Sequence, residues 1–285
     1  MRLPVDSYEA YRSLIAGKRL NNNSYFDFEI KRYIAQGRLS FIDAEDVLFL
    51  FFSEAVYEQV VIYAETHFPA DCSKHCEILC AQSELPWVCN VVFRSDEDSR
   101  AHLLSAYLEK LGFCAEYINY EYALSEEKQW AGLPDSPPDD LHIGHATTAY
   151  TNEICRLWRA SLPAFVLSSL DHAEIEALIA DGKILIATNS EGKLCGALYY
   201  DSVLGKTTIH HLAVASEFRR RGLGGRLIDT WLSKTQGSKL ALTWIEKNNF
   251  ASANLFHKFG FCKTSKRSYQ YVRRNHHGTT AENYE

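Results

Sequence analysis

Between Thr208 and Gly225 the chain reads Thr-Ile-His-His-Leu-Ala-Val-Ala-Ser-Glu-Phe-Arg-Arg-Arg-Gly-Leu-Gly-Gly, the stretch whose residue types are best suited to chemistry. An apolar, β-branched run enters a short basic, glycine-rich turn, and the turn opens a helix. Such a turn cradles an anion, because successive backbone N–H groups converge and the helix N-terminus adds partial positive charge. Gly222, Gly224 and Gly225 let a bulky ligand approach the backbone, while Arg219, Arg220 and Arg221 add full charge. Three phosphate-binding patterns compete for this stretch. G-x-x-x-x-G-K-[ST] is absent, and G-x-G-x-x-G needs another glycine order with an acidic residue about 20 positions on. R-x-x-G-x-G fits, as Arg219-x-x-Gly222-x-Gly224.

Upstream of the turn, strand alternation puts Thr208, His210, Leu212 and Val214 on one face and Ile209, His211 and Ala213 on the other. Imidazole, with a solution pKa near 6.5, suits proton acceptance at neutral pH. His210 is therefore the expected base, and His211, facing away, the expected structural histidine.

The elements that must position these groups follow from periodicity. Lys183–Thr188 and Lys193–Tyr200 read as strands meeting at Asn189-Ser190-Glu191-Gly192, and Thr207–Val214 reads as a third. Gly222–Lys234 reads as a helix with Leu223, Leu227, Trp231 and Leu232 on one face. Leu240–Ile245 is a further strand. Phe250–Phe259 is a second helix, capped by Asn248 or Asn249 and closed by Gly260. A mixed α/β sheet with flanking helices results.

The R-x-x-G-x-G turn after Leu212-Ala213-Val214 resembles the pyrophosphate-binding motif of the GNAT superfamily of N-acetyltransferases. Downstream, Asn249-x-x-Ser252-x-x-Leu255-Phe256-x-Lys258-x-Gly260-Phe261 is similar to the family's N-x-x-[AS]-x-x-L-Y-x-K-x-G-F helix. The resemblance implies a cosubstrate, acetyl-CoA, and direct attack on it by a primary amine, from a small molecule or a peptide, in a ternary complex. Arg219 to Gly225, Leu223 included, would hold the pyrophosphate. Leu212, Ala213 and Val214 would line the pantetheine arm, with Asn249, Ser252 and Phe256 beside it, and the Val214 amide would face the developing oxyanion. Two departures stand out. Many relatives carry glutamate where this chain has Thr208, although in the arylalkylamine acetyltransferases a histidine placed like His210 is thought to act through water. The tyrosine that serves as general acid is replaced by Phe256, so Tyr269 is nominated ahead of Tyr271, Tyr199 and Tyr200. Glu246 is an alternative base or an ammonium contact. These departures also leave open a non-catalytic acetyl-CoA-binding module with sensing or interaction duties.

The wider chain sets the context. Residues 126–140, inside the proline-rich, acidic stretch from Ser125 to Asp140, read as a linker between a unit at 1–125 and a catalytic unit at 141–274, with a polar tail at 275–285. Tyr107-Leu-Glu-Lys-Leu-Gly-Phe-Cys114 is echoed by Leu255-Phe-His-Lys-Phe-Gly-Phe-Cys262, and a Tyr-x-Tyr follows each. The expected fold is thus α/β, two GNAT-like domains, each a mixed, mostly antiparallel twisted sheet flanked by helices. The first would be degenerate, since its only glycines are Gly17, Gly37 and Gly112, and would help to wall the acceptor site. Residues 1–137 hold 12 basic against 22 acidic residues, net −10, and the remainder 18 against 14, net +4. The basic half suits a polyanion and the acidic half a cation.

The absence of any run near the roughly 20 apolar residues of a membrane span, and of a secretory leader at the start, points to a cytoplasmic protein without membrane contact. Eight cysteines among apolar neighbours fit reduced thiols. Cys72, His75, Cys76 and Cys80 match no zinc spacing, so no metal is expected. Basic residues that are compact rather than striped, in an acidic chain, argue against nucleic acid, and a monomer or homodimer is expected.

Overall fold

The computed structural model describes residues 2–22, 27–44, 46–54, 57–80, 85–125, 141–162 and 171–274. The expected linker at 126–140 and the tail at 275–285 lie outside the described residues. The chain divides into two compact units, Met1–Ile118 with Lys266–Glu285, and Asn119–Ser265.

The first unit contains β1 (Leu3–Pro4), α1 (Tyr8–Leu14), β2 (Leu20–Asn21), α2 (Asp27–Ala35), β3 (Leu39–Ala44), β4 (Val47–Ser53) and β5 (Glu58–Ala64). These are followed by α3 (Ser73–Cys80), β6 (Trp87–Phe93), α4 (Ser99–Lys110) and the start of β7 (Cys114–Ser125). β4 reads Val-Leu-Phe-Leu-Phe-Phe without polar alternation because both its faces are covered. Val47, Phe49 and Phe51 enter one core, and Leu48, Leu50 and Phe52 the other.

The second unit contains β8 (Leu141–His145), α5 (Thr151–Arg159), α6 (His172–Ala180), β9 (Ile184–Asn189), β10 (Leu194–Val203) and β11 (Lys206–Val214). Then come α7 (Leu223–Lys234), β12 (Leu240–Glu246), α8 (Phe250–Lys258) and the start of β13 (Cys262–Arg273). The predicted apolar face of α7 is buried through Leu223, Leu227 and Trp231. The Trp231 indole donates to Thr207 Oγ1 at 3.0 Å, which ties α7 to β11. The other face of the sheet packs Ala197 and Ala213 against Ile154, Trp158 and Ile175 of α5 and α6.

Both units follow one plan. β3, β4 and β5 are antiparallel neighbours, and β5 then runs parallel to β6. β8 to β11 are likewise antiparallel, and β11 runs parallel to β12. The closing strand of each is supplied by the other half of the sequence. β6 pairs with β13 from Trp87↔Arg273 to Phe93↔Arg267, and β12 pairs with β7 from Leu240↔Ser125 to Glu246↔Asn119. The two Tyr-x-Tyr strands of the internal echo are these exchanged strands. The sequence-based boundaries at 125 and 141–274 leave each strand with its own half, since two strands of like pattern carry no local mark of their partner. The exchange moves Tyr269 into the first unit, where it pairs with Val91 and packs 5.0 Å from Phe93.

Candidate functional site

β11 and β12 hold the centre of the second unit. They pair from Lys206↔Leu240 to Ile209↔Thr243 and then part, although β11 continues to Val214 and β12 to Glu246. At the parting point β11 carries a bulge. Tyr199 pairs with His211 and Tyr200 with Ile209, so His210 is the extra residue.

The bulge overturns the simple alternation. Ile209, Leu212 and Val214 all pack toward α7, whereas His211 and Ala213 pack toward Trp158 and α5. His210 joins the second group, stacked on Tyr199 with ring centroids 4.8 Å apart. His210 and His211 therefore share a face that strict alternation assigned to only one of them.

Past the bulge, the edge of β11 away from β10 is open. The Ala215 amide donates to Cys195 O, so the amide and carbonyl of Val214 point away from β10 and into the gap. The same parity turns Leu212 outward. Arg219 Nε donates to Val214 O at 2.9 Å, which folds the turn back onto the strand end and leaves the Val214 amide facing the gap.

The turn itself is exposed from Arg219 to Gly222. Arg220, at φ +63°, and Gly222, at φ +80°, both adopt left-handed backbone; glycine takes it freely, whereas at Arg220 it is strain of the kind that concentrates at ligand-binding turns. Gly222 is the N-cap of α7 and supplies no side-chain cap, and the first bond of the helical ladder runs from Arg226 N to Gly222 O. The amides of Leu223, Gly224 and Gly225 precede that ladder, at the positive end of the helix. Nothing lies within 4 Å of a Cβ built on Gly222, whereas one on Gly224 would stand 3.2 Å from Leu255 Cδ2. Gly224 thus permits the close approach of α8. The three arginines divide their work: Arg219 clasps the strand, Arg221 lies over the Phe218 ring at 5.6 Å, and Arg220 is exposed. A groove of ≈ 900 Å³ flanks the turn on the α5 side, with Arg156, Lys193, Arg219 and Glu217 in its lining.

Other predicted residues are placed as follows. Asn249 caps α8, its Oδ1 accepting from Ser252 N at 3.1 Å. Glu246 accepts from Asn248 N at 2.8 Å and so closes the turn after β12. Phe256, named as a cofactor contact, is 2% exposed and packs edge-on to Phe261 in the core, because its position on α8 faces inward with Phe259. Tyr269 is partly buried and packs against the core of the first unit. One residue had no sequence signal: Asp201 of β10, whose Oδ2 lies 3.1 Å from His210 Nε2. Only the bulge brings the two together.

Burial, with His210 beside it, pushes the His211 imidazole down to about 3. The folded chain keeps this ring neutral, but the unfolded chain takes up a proton below about pH 6.5. The stability it contributes is complete above pH 6.5 and is lost progressively as pH falls toward 3. Melting temperature is expected to decline from pH 7 to 4, and His211→Phe to flatten that decline. Parallel curves for parent and variant would remove His211 from the acid limb.

In the first unit the equivalent gap is filled by the chain itself. β5 and β6 pair only at Glu58↔Trp87 and Gln59↔Val88. Beyond that, Asn22 Nδ2 donates to Val60 O at 3.2 Å and to Asn90 O at 3.1 Å, while Ile62 N donates to Asn22 Oδ1 at 2.7 Å. One amide side chain bridges both strands. At the start of α3, Asp71 Oδ1 accepts from Ser73 N at 2.9 Å, so a carboxylate caps that helix.

The acetyltransferase (GNAT) family profile matches residues 151–261. The second unit carries a GNAT domain. Among solved structures, a tandem GNAT protein from the clavulanic acid biosynthesis pathway is similar over 98% of this chain and 99% of its own, at 14% identity and TM-score 0.64. A GCN5-related N-acetyltransferase from Sphaerobacter thermophilus covers 90% and 88%, at 13% identity and TM-score 0.59. A probable N-acyltransferase from Enterococcus faecalis covers 96% of this chain and 72% of its own, at 11% identity and TM-score 0.57. At these identities the likeness is one of fold, and it spans both units. No curated protein matches the sequence. The GNAT domain is of acyltransferase type, and the first unit repeats its strand plan. No helix among the described residues is long and apolar enough to cross a membrane.

Proposed function

We propose that the GNAT domain transfers the acetyl group of acetyl-CoA to a primary amine by direct attack in a ternary complex. The observation that carries this reading is the exposed, uncapped glycine turn beside a parted pair of strands. The residues fit the ligand: amides of Leu223 to Gly225 for the pyrophosphate, and the open edge of β11 at Leu212 and Val214 for the pantetheine arm. Acetyl-CoA supplies an acyl group on a good leaving thiol, so the protein has little covalent work to do. The amine arrives as an ammonium and loses one proton to His210. Its nitrogen then bonds to the acyl carbon while the Val214 amide faces the developing oxyanion. The C–S bond breaks, and the second proton lost by nitrogen is taken up by the thiolate, giving amide and free thiol. The solution pKa of a thiol, about 8.5, makes a dedicated general acid unnecessary, which accommodates the inward-facing Phe256.

The test is acetyl-CoA-dependent thiol release with polyamines, amino acids, aminoglycosides, amino sugars and peptide N-termini. Turnover with at least one of these amines is expected, and CoA binding without turnover across all of them would favour a non-catalytic acetyl-CoA-binding module. The specific observation on that second side is the phenylalanine, without a hydroxyl, at position 256. The Asn22 bridge and the Asp71 cap imply that the first unit takes no cofactor. Calorimetric titration should therefore give one CoA per chain, and two sites would contradict that reading. A cytoplasmic setting and a small-molecule or peptide amine acceptor complete the proposal.

A further inference from the structure

The bulge in β11 brings together three groups that the folded sheet would otherwise keep apart. His210 stacks on Tyr199, its Nε2 lies 3.1 Å from Asp201 Oδ2, and His211 stands behind Tyr199 with ring centroids 5.6 Å apart. The two members of the pair are 37% and 31% exposed in their side chains, accessible yet shielded on one side. The pair also sits where β11 and β12 part, one residue beyond the last paired position, Ile209↔Thr243.

We propose that Asp201 is a positioning residue, holding the His210 ring at the mouth of the parted strands so that its outer nitrogen accepts the proton of the amine. This inference rests on the acetyl-transfer reading above. Protonation at Nε2, the nitrogen that faces Asp201, leaves the lone pair on Nδ1, so a carboxylate 3.1 Å away favours that tautomer as well as the orientation. When Nδ1 takes the ammonium proton, the carboxylate stabilises the imidazolium, and no other atom changes bonding. Tyr199 fixes the ring plane from below. His211 cannot substitute, because burial keeps it far too weak a base, with a pKa of about 3. The pairing also accounts for the missing glutamate at Thr208: the carboxylate is present, but it stands on the neighbouring strand and acts through histidine.

The experiment uses the full chain, an amine that turns over, and the variants Asp201→Leu, Asp201→Asn, His210→Ala and the double variant His210→Ala with Asp201→Leu. Asp201→Leu is expected to lower kcat roughly tenfold or more, with CoA affinity and melting temperature unchanged. Asp201→Asn, which keeps an acceptor for Nε2–H without the charge, should fall between the parent and Asp201→Leu. The double variant should be no slower than His210→Ala, because a residue that acts through another adds nothing once that other is gone. Nitrogen NMR of the imidazole supplies a readout independent of turnover: a single Nε2–H tautomer in the parent, mixed in Asp201→Leu. An unchanged kcat in Asp201→Leu, additive losses in the double variant, or a parent ring without the Nε2–H tautomer would each overturn the inference while leaving acetyl transfer intact. A parent without turnover on any amine overturns the acetyl-transfer reading itself, and the role of Asp201 with it.

Discussion

Gly224→Glu is expected to abolish CoA binding, a loss of roughly a hundredfold or more, and thiol release with it. The Cβ alone is a mild intrusion. It meets the flexible end of Leu255 at 3.2 Å and Val214 Cγ2 at 3.9 Å, and both side chains can give way. The carboxylate is the larger effect. It sets a negative charge at the helix mouth, where two phosphate charges would gather, and at an effective dielectric near 20 each such pair at about 4 Å costs about 4 kcal/mol before screening. A single such pair exceeds the ~2.7 kcal/mol that a hundredfold loss represents. Gly224→Ala separates the two causes: it keeps the close approach but not the charge, and most of the affinity should survive. Gly222→Ala adds contrast from the opposite direction. Its Cβ meets nothing, yet the positive φ costs about 1–2 kcal/mol for a residue with a side chain. Calorimetry of CoA binding, with melting temperature as the folding control, reads all three. Parental affinity in Gly224→Glu would remove the phosphate from this turn.

That turn was legible in the sequence because its chemistry is local. Arg219, Gly222 and Gly224 lie within six residues, and the positive φ of Gly222 and the exposure of the arginines follow from glycine placement and charge, whereas the positive φ of Arg220 has no such mark. Helices α7 and α8 were legible for the same reason, their apolar spacing and the Asn249 cap being short-range signals. Three things were not. The exchange of β7 and β13 depends on pairing between residues more than a hundred positions apart, such as Glu121↔Trp244, and both strands satisfy either partner by pattern. Tyr269 reads with the second half by sequence, whereas its strand pairs with β6 in the first unit. The bulge at His210 leaves the apolar alternation of residues 207–213 intact by burial, since Thr207, Ile209, His211 and Ala213 are all covered, but by two different layers. Finally, α5 and α6 were not anticipated, although Asp171 and Glu174 form a capping box that marks the start of α6.

His210→Ala is expected to lower kcat about a hundredfold at neutral pH, at the lower end of what a positioned proton acceptor contributes, while leaving CoA affinity as it was. The two histidines are adjacent, and magnitude decides between them. A ring with a pKa of about 3, as burial gives His211, holds a proton at pH 7 in only about one molecule in ten thousand, so it accepts one from an ammonium far too rarely to matter. The His210 side chain is 37% exposed, and Asp201 Oδ2, 3.1 Å from its Nε2, can compensate its charge. Removing it leaves water as acceptor. The deficit should therefore shrink as pH rises toward that of the free amine, about 10.4 for a lysine-like group, because the substrate then arrives already neutral. A rate profile from pH 6 to 10 makes that pattern visible: a wide gap between parent and variant on the acid side, closing on the alkaline side. A constant ratio across the range would mean that the alanine had disturbed binding geometry rather than proton transfer. Equal rates at pH 7 would hand the proton to solvent and leave the histidine pair a structural feature of the bulge.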